Sequence, residues 1–209
     1  IAQIIWSLIV ACFISIVYYI SLLLHLPIFV TSLLSAGFAY YSYKWFFKYT
    51  GLITESPEMP ARSTFTAYIL LLAGIAVITN KSFYIEREYG DWDAWWIWNY
   101  HAKYLQHPEY WRQLFTLHDI YHPGYPLFTS SFIAFFWRLF STDSAIIPFV
   151  FTFIVTLIVP VIIFLELHKK NIIIAALALF ILATDEFYLG HGLAQYADLP
   201  LGLLLLCAM

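Results

Sequence analysis

Residues 1–43 read IAQIIWSLIVACFISIVYYISLLLHLPIFVTSLLSAGFAYYSY and contain no Asp, Glu, Lys or Arg. A hydrocarbon core about 30 Å thick takes about 20 apolar residues to cross as helix. The stretch is long enough for two spans, broken at His25-Leu26-Pro27 and placed at about 2–24 and 27–46. The remaining composition points the same way. Of 209 residues, 62% are hydrophobic and 11% charged, with a mean hydropathy of +0.78. Soluble domains carry about a quarter charged residues, so a soluble domain, a disordered chain and a secreted mini-protein are excluded. The reading is an all-α, polytopic membrane protein. A net charge of −3 does not point to nucleic acid. Cys12 and Cys207 both lie in apolar runs and imply no disulfide framework. The chain begins at Ile1 and stops at Met209 inside an apolar run, which reads as a piece of a longer protein. Its first segment lacks the basic start and small-residue cleavage site of a signal peptide.

Outward from this stretch comes a polar loop, Lys44 to Ser63, then an uncharged run from Thr64 to Asn80. A polar, aromatic stretch follows from Lys81 to about Tyr125, and further apolar runs lie at 126–140, 144–165, 171–184 and 199–209. About six spans are expected. Lys44, Lys48 and Arg62 place the first polar loop in the cytoplasm, as do His168, Lys169 and Lys170 the later short one. The 126–140 run must then begin and end on the outer side. It holds Arg138 and is preceded by Pro123 and Pro126, so a surface-lying or re-entrant helix is expected. With this parity, the 81–125 stretch and the segment Thr184–Asp198 face one compartment.

The outer stretch carries the most unusual segment, Tyr89-Gly-Asp-Trp-Asp-Ala-Trp-Trp-Ile-Trp-Asn-Tyr-His101. Five of the eight tryptophans fall between Trp92 and Trp111. Indole favours the headgroup zone, which explains an interfacial anchor. It does not explain Asp91 and Asp93. Asp91 reads foremost as a helix cap. Further acidic residues stand at Asp185-Glu186 and at Asp198, within Tyr196-Ala-Asp-Leu-Pro200. Ionisable groups at a membrane face are functional candidates, with a cap as the alternative for Asp198. Two carboxylates from separate segments would supply a base and a group that positions substrate or a divalent cation. His118 and His122 stand four apart around Asp119, a zinc spacing that Pro123 and Gly124 argue against. His191, between Gly190 and Gly192, is a candidate phosphate or sugar contact or an exposed loop residue. No nucleotide-binding, serine-hydrolase or paired-cysteine pattern is present. Any substrate must come from the membrane or the outer side, and a polyprenyl-phosphate lipid is the natural donor.

The ordered set Trp92-Asp-Ala-Trp95, His122-Pro-Gly-Tyr-Pro-Leu127 and Tyr196-Ala-Asp-Leu-Pro-Leu201 resembles the GT-C superfamily of membrane glycosyltransferases. It looks most like the protein-mannosyltransferase-like branch, with spacing also similar to oligosaccharyltransferase catalytic subunits. The resemblance covers roughly residues 64–209. It implies a GT-C-like module over 64–209, with an outer loop at 81–143 carrying surface helices and a second outer loop at 185–198. Residues 1–63 would be an N-terminal transmembrane hairpin and cytoplasmic loop.

The resemblance further implies an inverting transfer of sugar from a polyprenyl-phosphate or diphosphate lipid. The acceptor would be a lipid, glycan or protein, on the periplasmic face of a bacterial inner membrane. By position Asp93 matches the first-loop catalytic base, and Asp198 the second-loop acidic residue that in relatives helps bind metal or substrate. Mg²⁺ or Mn²⁺ at Asp198 is the candidate cofactor, without being required. Asp91, Trp95, Trp96, His122, Tyr125, Asp185, Glu186, His191 and Tyr196 are the expected substrate-binding residues. The rival readings are a lipid-linked-sugar flippase, which would need ionisable or Gly/Pro-broken positions within its spans, and a non-catalytic assembly subunit.

Overall fold

The computed structural model describes residues 2–50, 61–84, 90–116 and 122–208. The described residues fold into helices and connecting turns, without a strand. In chain order the α-helices are α1 (Ala2–Leu23), α2 (Ile28–Thr50), α3 (Ala61–Tyr84), α4 (Asn99–Leu105), α5 (Phe128–Leu139), α6 (Ile146–Leu167), α7 (Ile172–Thr184), α8 (Glu186–Leu193) and α9 (Asp198–Ala208). A π-helical turn, Ala94–Trp98, leads directly into α4, and a 3₁₀ turn, Trp111–Phe115, follows it.

Among the described residues, three helices are long and apolar enough to cross a membrane: α1, the Phe65–Tyr84 part of α3, and α6. A fourth span results only if α7 and α8, bent by 61°, count as one. This corrects the six spans expected. The 27–46 run does fold as a helix, but α2 is not among the apolar spans. Tyr40, Tyr41, Tyr43 and Lys44 dilute its second half. Lys44 and Lys48, expected in the following loop, lie within α2, and the Lys44 ammonium sits 4.5 Å from the Tyr40 ring centroid.

The 171–184 run gives only 13 helical residues, about 20 Å at helical rise, too short for the hydrocarbon core. The helix stops at Asp185, whose backbone is extended (φ −72°, ψ 112°). The Asp185 side chain then accepts the Phe187 N–H at 2.9 Å and starts α8. Residues 186–193, expected as loop, are therefore helix. The 126–140 run folds as α5, whose 12 residues span about 18 Å and cannot cross alone.

The termini of α1 and α5 share one device. His25 (φ 54°) and Ser141 (φ 52°) adopt left-handed backbone, and the following residues close back on the helices. Leu26 N–H reaches Ser21 O at 2.8 Å, and Thr142 N–H reaches Trp137 O at 2.9 Å. This turns α1 sharply into α2 and α5 into α6.

Packing then sets what lies near what. One core joins α1, α4, α5 and the 3₁₀ turn through Tyr18, Leu22, Leu105, Leu114, Ile133 and Trp137. The Tyr18 hydroxyl donates to Leu105 O at 2.7 Å, and Ser15 to Phe128 O at 3.0 Å. The C-terminal half of α1 is thereby tied to the Trp-rich segment and to α5. A second group packs α3, α7 and α8 on α6. Gly74 of α3 lets α7 approach so closely that a Cβ there would lie 2.5 Å from Leu179 Cδ2.

Pro160 lies within α6 and has no N–H to give the carbonyl of Thr156. The Tyr188 hydroxyl of α8 donates to that carbonyl at 2.6 Å. Gly192, one turn on, abuts the Thr156 side chain, where no Cβ fits. Tyr188→Phe should lower stability by about 1–3 kcal/mol, because it strands a buried acceptor. Gly192→Ala should cost about as much through overpacking. Thermal unfolding in detergent checks both, with Phe187→Leu on the exposed side of α8 as the neutral control.

Candidate functional site

The Trp-rich segment begins at Gly90, whose φ of +77° lies in the left-handed region. A Cβ on Gly90 would meet Ala94 Cβ at 2.6 Å and Ala194 O at 2.9 Å. Only glycine permits this approach. Asp91 follows and opens the helix. Its carbonyl accepts Trp95 N–H at 3.3 Å, and its Oδ1 accepts Trp92 N–H at 2.8 Å. Asp91 therefore occupies the position before the helix, with its carboxylate on the first helical N–H. Asp93, two residues on, is half-buried, has helical backbone and makes no capping bond.

The second acidic motif reaches the first through backbone. Asp91 N–H donates to Ala194 O at 3.0 Å, in the turn that links α8 to α9. The adjacent Gln195 takes a left-handed φ of 63° and is 1% exposed. Its Oε1 accepts Asn99 Nδ2 at 2.9 Å. An amide pair buried in this way locks the turn against the Trp-rich helix, because separation would strand both groups. Asp93 is two residues from one end of this junction, and Asp198 is four from the other. Asp198 is exposed in the first turn of α9, where its charge complements the helix dipole.

The other expected residues fall into three places. His122 stacks on Tyr125 at 4.4 Å, and Tyr125 on Trp98 at 5.7 Å, so the His-Pro-Gly-Tyr element joins the Trp-rich helix. Trp96 belongs to a row with Trp92 and Tyr100, at centroid distances of 5.9 and 6.4 Å. Trp95 faces Lys103 instead, 5.8 Å from its ammonium. His191 lies on helix α8 rather than in a loop. Its Nδ1 pairs with Phe187 O at 3.1 Å, and its ring meets Tyr196 at 5.7 Å.

Asp185 and Glu186 are not brought to the junction. Helix α8, about 12 Å long, separates them from it. Asp185 is occupied with capping α8. His118 and Asp119 lie outside the described residues, so the zinc spacing has no geometry.

Among the described residues no three His, Cys, Asp or Glu side chains converge as metal ligands. What Asp198 offers is one carboxylate, the arrangement in which Mg²⁺ takes its other ligands from water and substrate phosphate. Gln195, Asn99 and Lys103 were not singled out by sequence. Their signal was available only as polar residues amid apolar neighbours. No family model, curated protein or solved structure matches the chain.

The two neighbouring aspartates should separate cleanly in stability. Asp91→Ala should cost about 1 kcal/mol through loss of this bond at the helix start. Asp93→Ala should leave the unfolding midpoint of the purified protein within about 0.5 kcal/mol of the parent, since its side chain caps nothing.

Proposed function

We propose that the chain acts as an integral membrane glycosyltransferase. It takes sugar from a polyprenyl-phosphate or diphosphate lipid and passes it, with inversion, to a lipid, glycan or protein acceptor. The observation that carries this reading is the junction of the two acidic motifs: the Asp91–Ala194 backbone bond and the buried Asn99–Gln195 pair. It gives Asp93 and Asp198 a common frame although they are far apart in sequence.

In the reaction, Asp93 removes the proton of the acceptor hydroxyl or amine as that group attacks the anomeric carbon. The carbon–oxygen bond to the lipid phosphate breaks on the opposite face, and the phosphate leaves with the bonding pair. Freedom from capping leaves the Asp93 carboxylate available for this task, while Asp91 fixes the helix that carries it. Asp198 positions substrate, and a divalent cation bound there would stabilise the leaving phosphate. The tryptophans hold the segment at headgroup depth, where a lipid phosphate sits, and offer faces for sugar stacking. The membrane proposed is a bacterial inner membrane, with the site toward the periplasm.

A second reading, transport of a lipid-linked sugar, draws on the helix break at Asp185. A bent pair interrupted at Asp185, beside the proline-containing α6, is the type of discontinuity that transporters use.

The test offers the purified protein a panel of polyprenyl-phosphate sugars with acceptors. Turnover should fall by about 10²–10⁴-fold in Asp93→Asn. Full turnover in that variant removes the base assignment. Sugar-lipid translocation into the lumen of sealed vesicles, unchanged by Asp93→Asn and without any transfer, would establish the transport reading instead.

A further inference from the structure

Trp95 and Lys103 form the shared wall of two neighbouring cavities. One, about 330 Å³, is polar and lies against the α5–α6 connection, with Asn99, Asp143 and Ser144 on its walls. The other, about 370 Å³, is aromatic and is completed by Trp96 and Tyr100. Each is at the small end for a ligand site. Together they offer room for a headgroup and the first part of a chain.

Three features of these walls ask for an occupant. Lys103 is half-buried, and among the described residues no carboxylate lies within ion-pairing distance of it. An ammonium held against indole and partly withdrawn from water gains most from an anion. Asn99 is 5% exposed, its Nδ2 is given to Gln195, and its Oδ1 has no hydrogen-bond partner. The indoles of Trp95 and Trp96 are 42% and 44% exposed, the arrangement that suits the headgroup layer of a bilayer.

We propose that these cavities bind the phosphorylated headgroup of a membrane lipid, with Lys103 holding the phosphate. The phosphate sits at the shared wall, away from Asp143, whose carboxylate would repel it. Asp143 and Ser144 take headgroup hydroxyls in the polar cavity. The lipid chain leaves over Trp96 and Tyr100. Free phosphate would use only the ammonium, whereas a lipid uses both cavities. The proposal rests on the glycosyltransferase reading only in naming a polyprenyl phosphate as the lipid. Lys103 is ten residues from Asp93, so the two roles can be tested apart.

Equilibrium binding of undecaprenyl phosphate to the whole purified protein in detergent micelles is the measurement, with quenching of tryptophan fluorescence as a second readout. Lys103→Gln should weaken binding at least about tenfold. Lys103→Arg should restore it, and Asp93→Asn should leave it unchanged. Undecaprenol, which lacks the phosphate, should bind no better to the parent than to Lys103→Gln. Inorganic phosphate should fail to compete. Parent-level binding by Lys103→Gln, equal binding of undecaprenol, or full competition by inorganic phosphate would each overturn the proposal. Matched unfolding midpoints show that the variants remain folded. Loss of transfer in Asp93→Asn with lipid binding intact keeps both readings. Transfer that survives in Asp93→Asn removes the base and leaves the lipid site standing.

Discussion

The carbonyl of Thr156 needs a donor that its own helix cannot supply. Pro160 occupies the position whose N–H would have met it, and in an apolar setting an unmet carbonyl is costly. The hydroxyl of Tyr188 answers that need and in doing so fixes α8 against α6. Gly192 allows the contact to close. The chain then leaves α8 at a determined place, and the next two residues, Ala194 and Gln195, are the ones that hold the Trp-rich helix. The arrangement of the acidic motifs is thus downstream of one missing amide proton. Each link is short in space and long in sequence: Thr156 to Tyr188, then Ala194 to Asp91.

The opposite flank is held by α1. Tyr18 reaches the end of α4 through its hydroxyl, and its ring lies at 6.0 Å from Phe135 of α5. The Trp-rich helix is accordingly gripped at its start by the α8–α9 turn and at its end by α1. Between these grips Trp92, Trp95 and Trp96 remain outward. Their exposure is a result of fixed backbone, not of looseness.

Much of the helical skeleton was legible in the residues themselves. The uncharged runs that became α1, α3 and α6 are long enough for the apolar signal to dominate, and the break at His25–Pro27 was visible as a histidine and a proline in an otherwise apolar run. The place of Asp91 was legible too, because a carboxylate before a helix has a local use. What failed was decided by contacts between distant segments. EFYLGHGL, residues 186–193, looks like a loop because glycine disfavours helix. Yet Gly192 is required for packing on Thr156, and tertiary contact overrides the propensity. The length of α7 was legible, since the apolar run itself ends at Thr184, but its continuation past a bend into α8 was not, because the bend arises from the backbone at Asp185. At the candidate site, the motifs themselves could be picked out by composition. The amide pair that joins them could not, since Asn99 and Gln195 each look unremarkable alone and acquire meaning only when opposed.

The π-helical turn at Ala94–Trp98, where Asn99 N–H reaches back to Ala94 O, has a consequence for phase. Along an ordinary α-helix, a row of every fourth residue drifts sideways by about 40° at each step. A turn closed over five residues winds more slowly, and so turns the row back. Trp92, Trp96, Tyr100 and Tyr104 therefore keep successive ring contacts instead of spiralling away. The same correction holds Lys103 over Trp95, eight positions earlier. The segment works as a gear set one tooth out of step with the helix on either side. Removing a single residue there would re-time everything after it by about 100°, carrying Lys103 off the indole and Asn99 off its partner without altering either side chain.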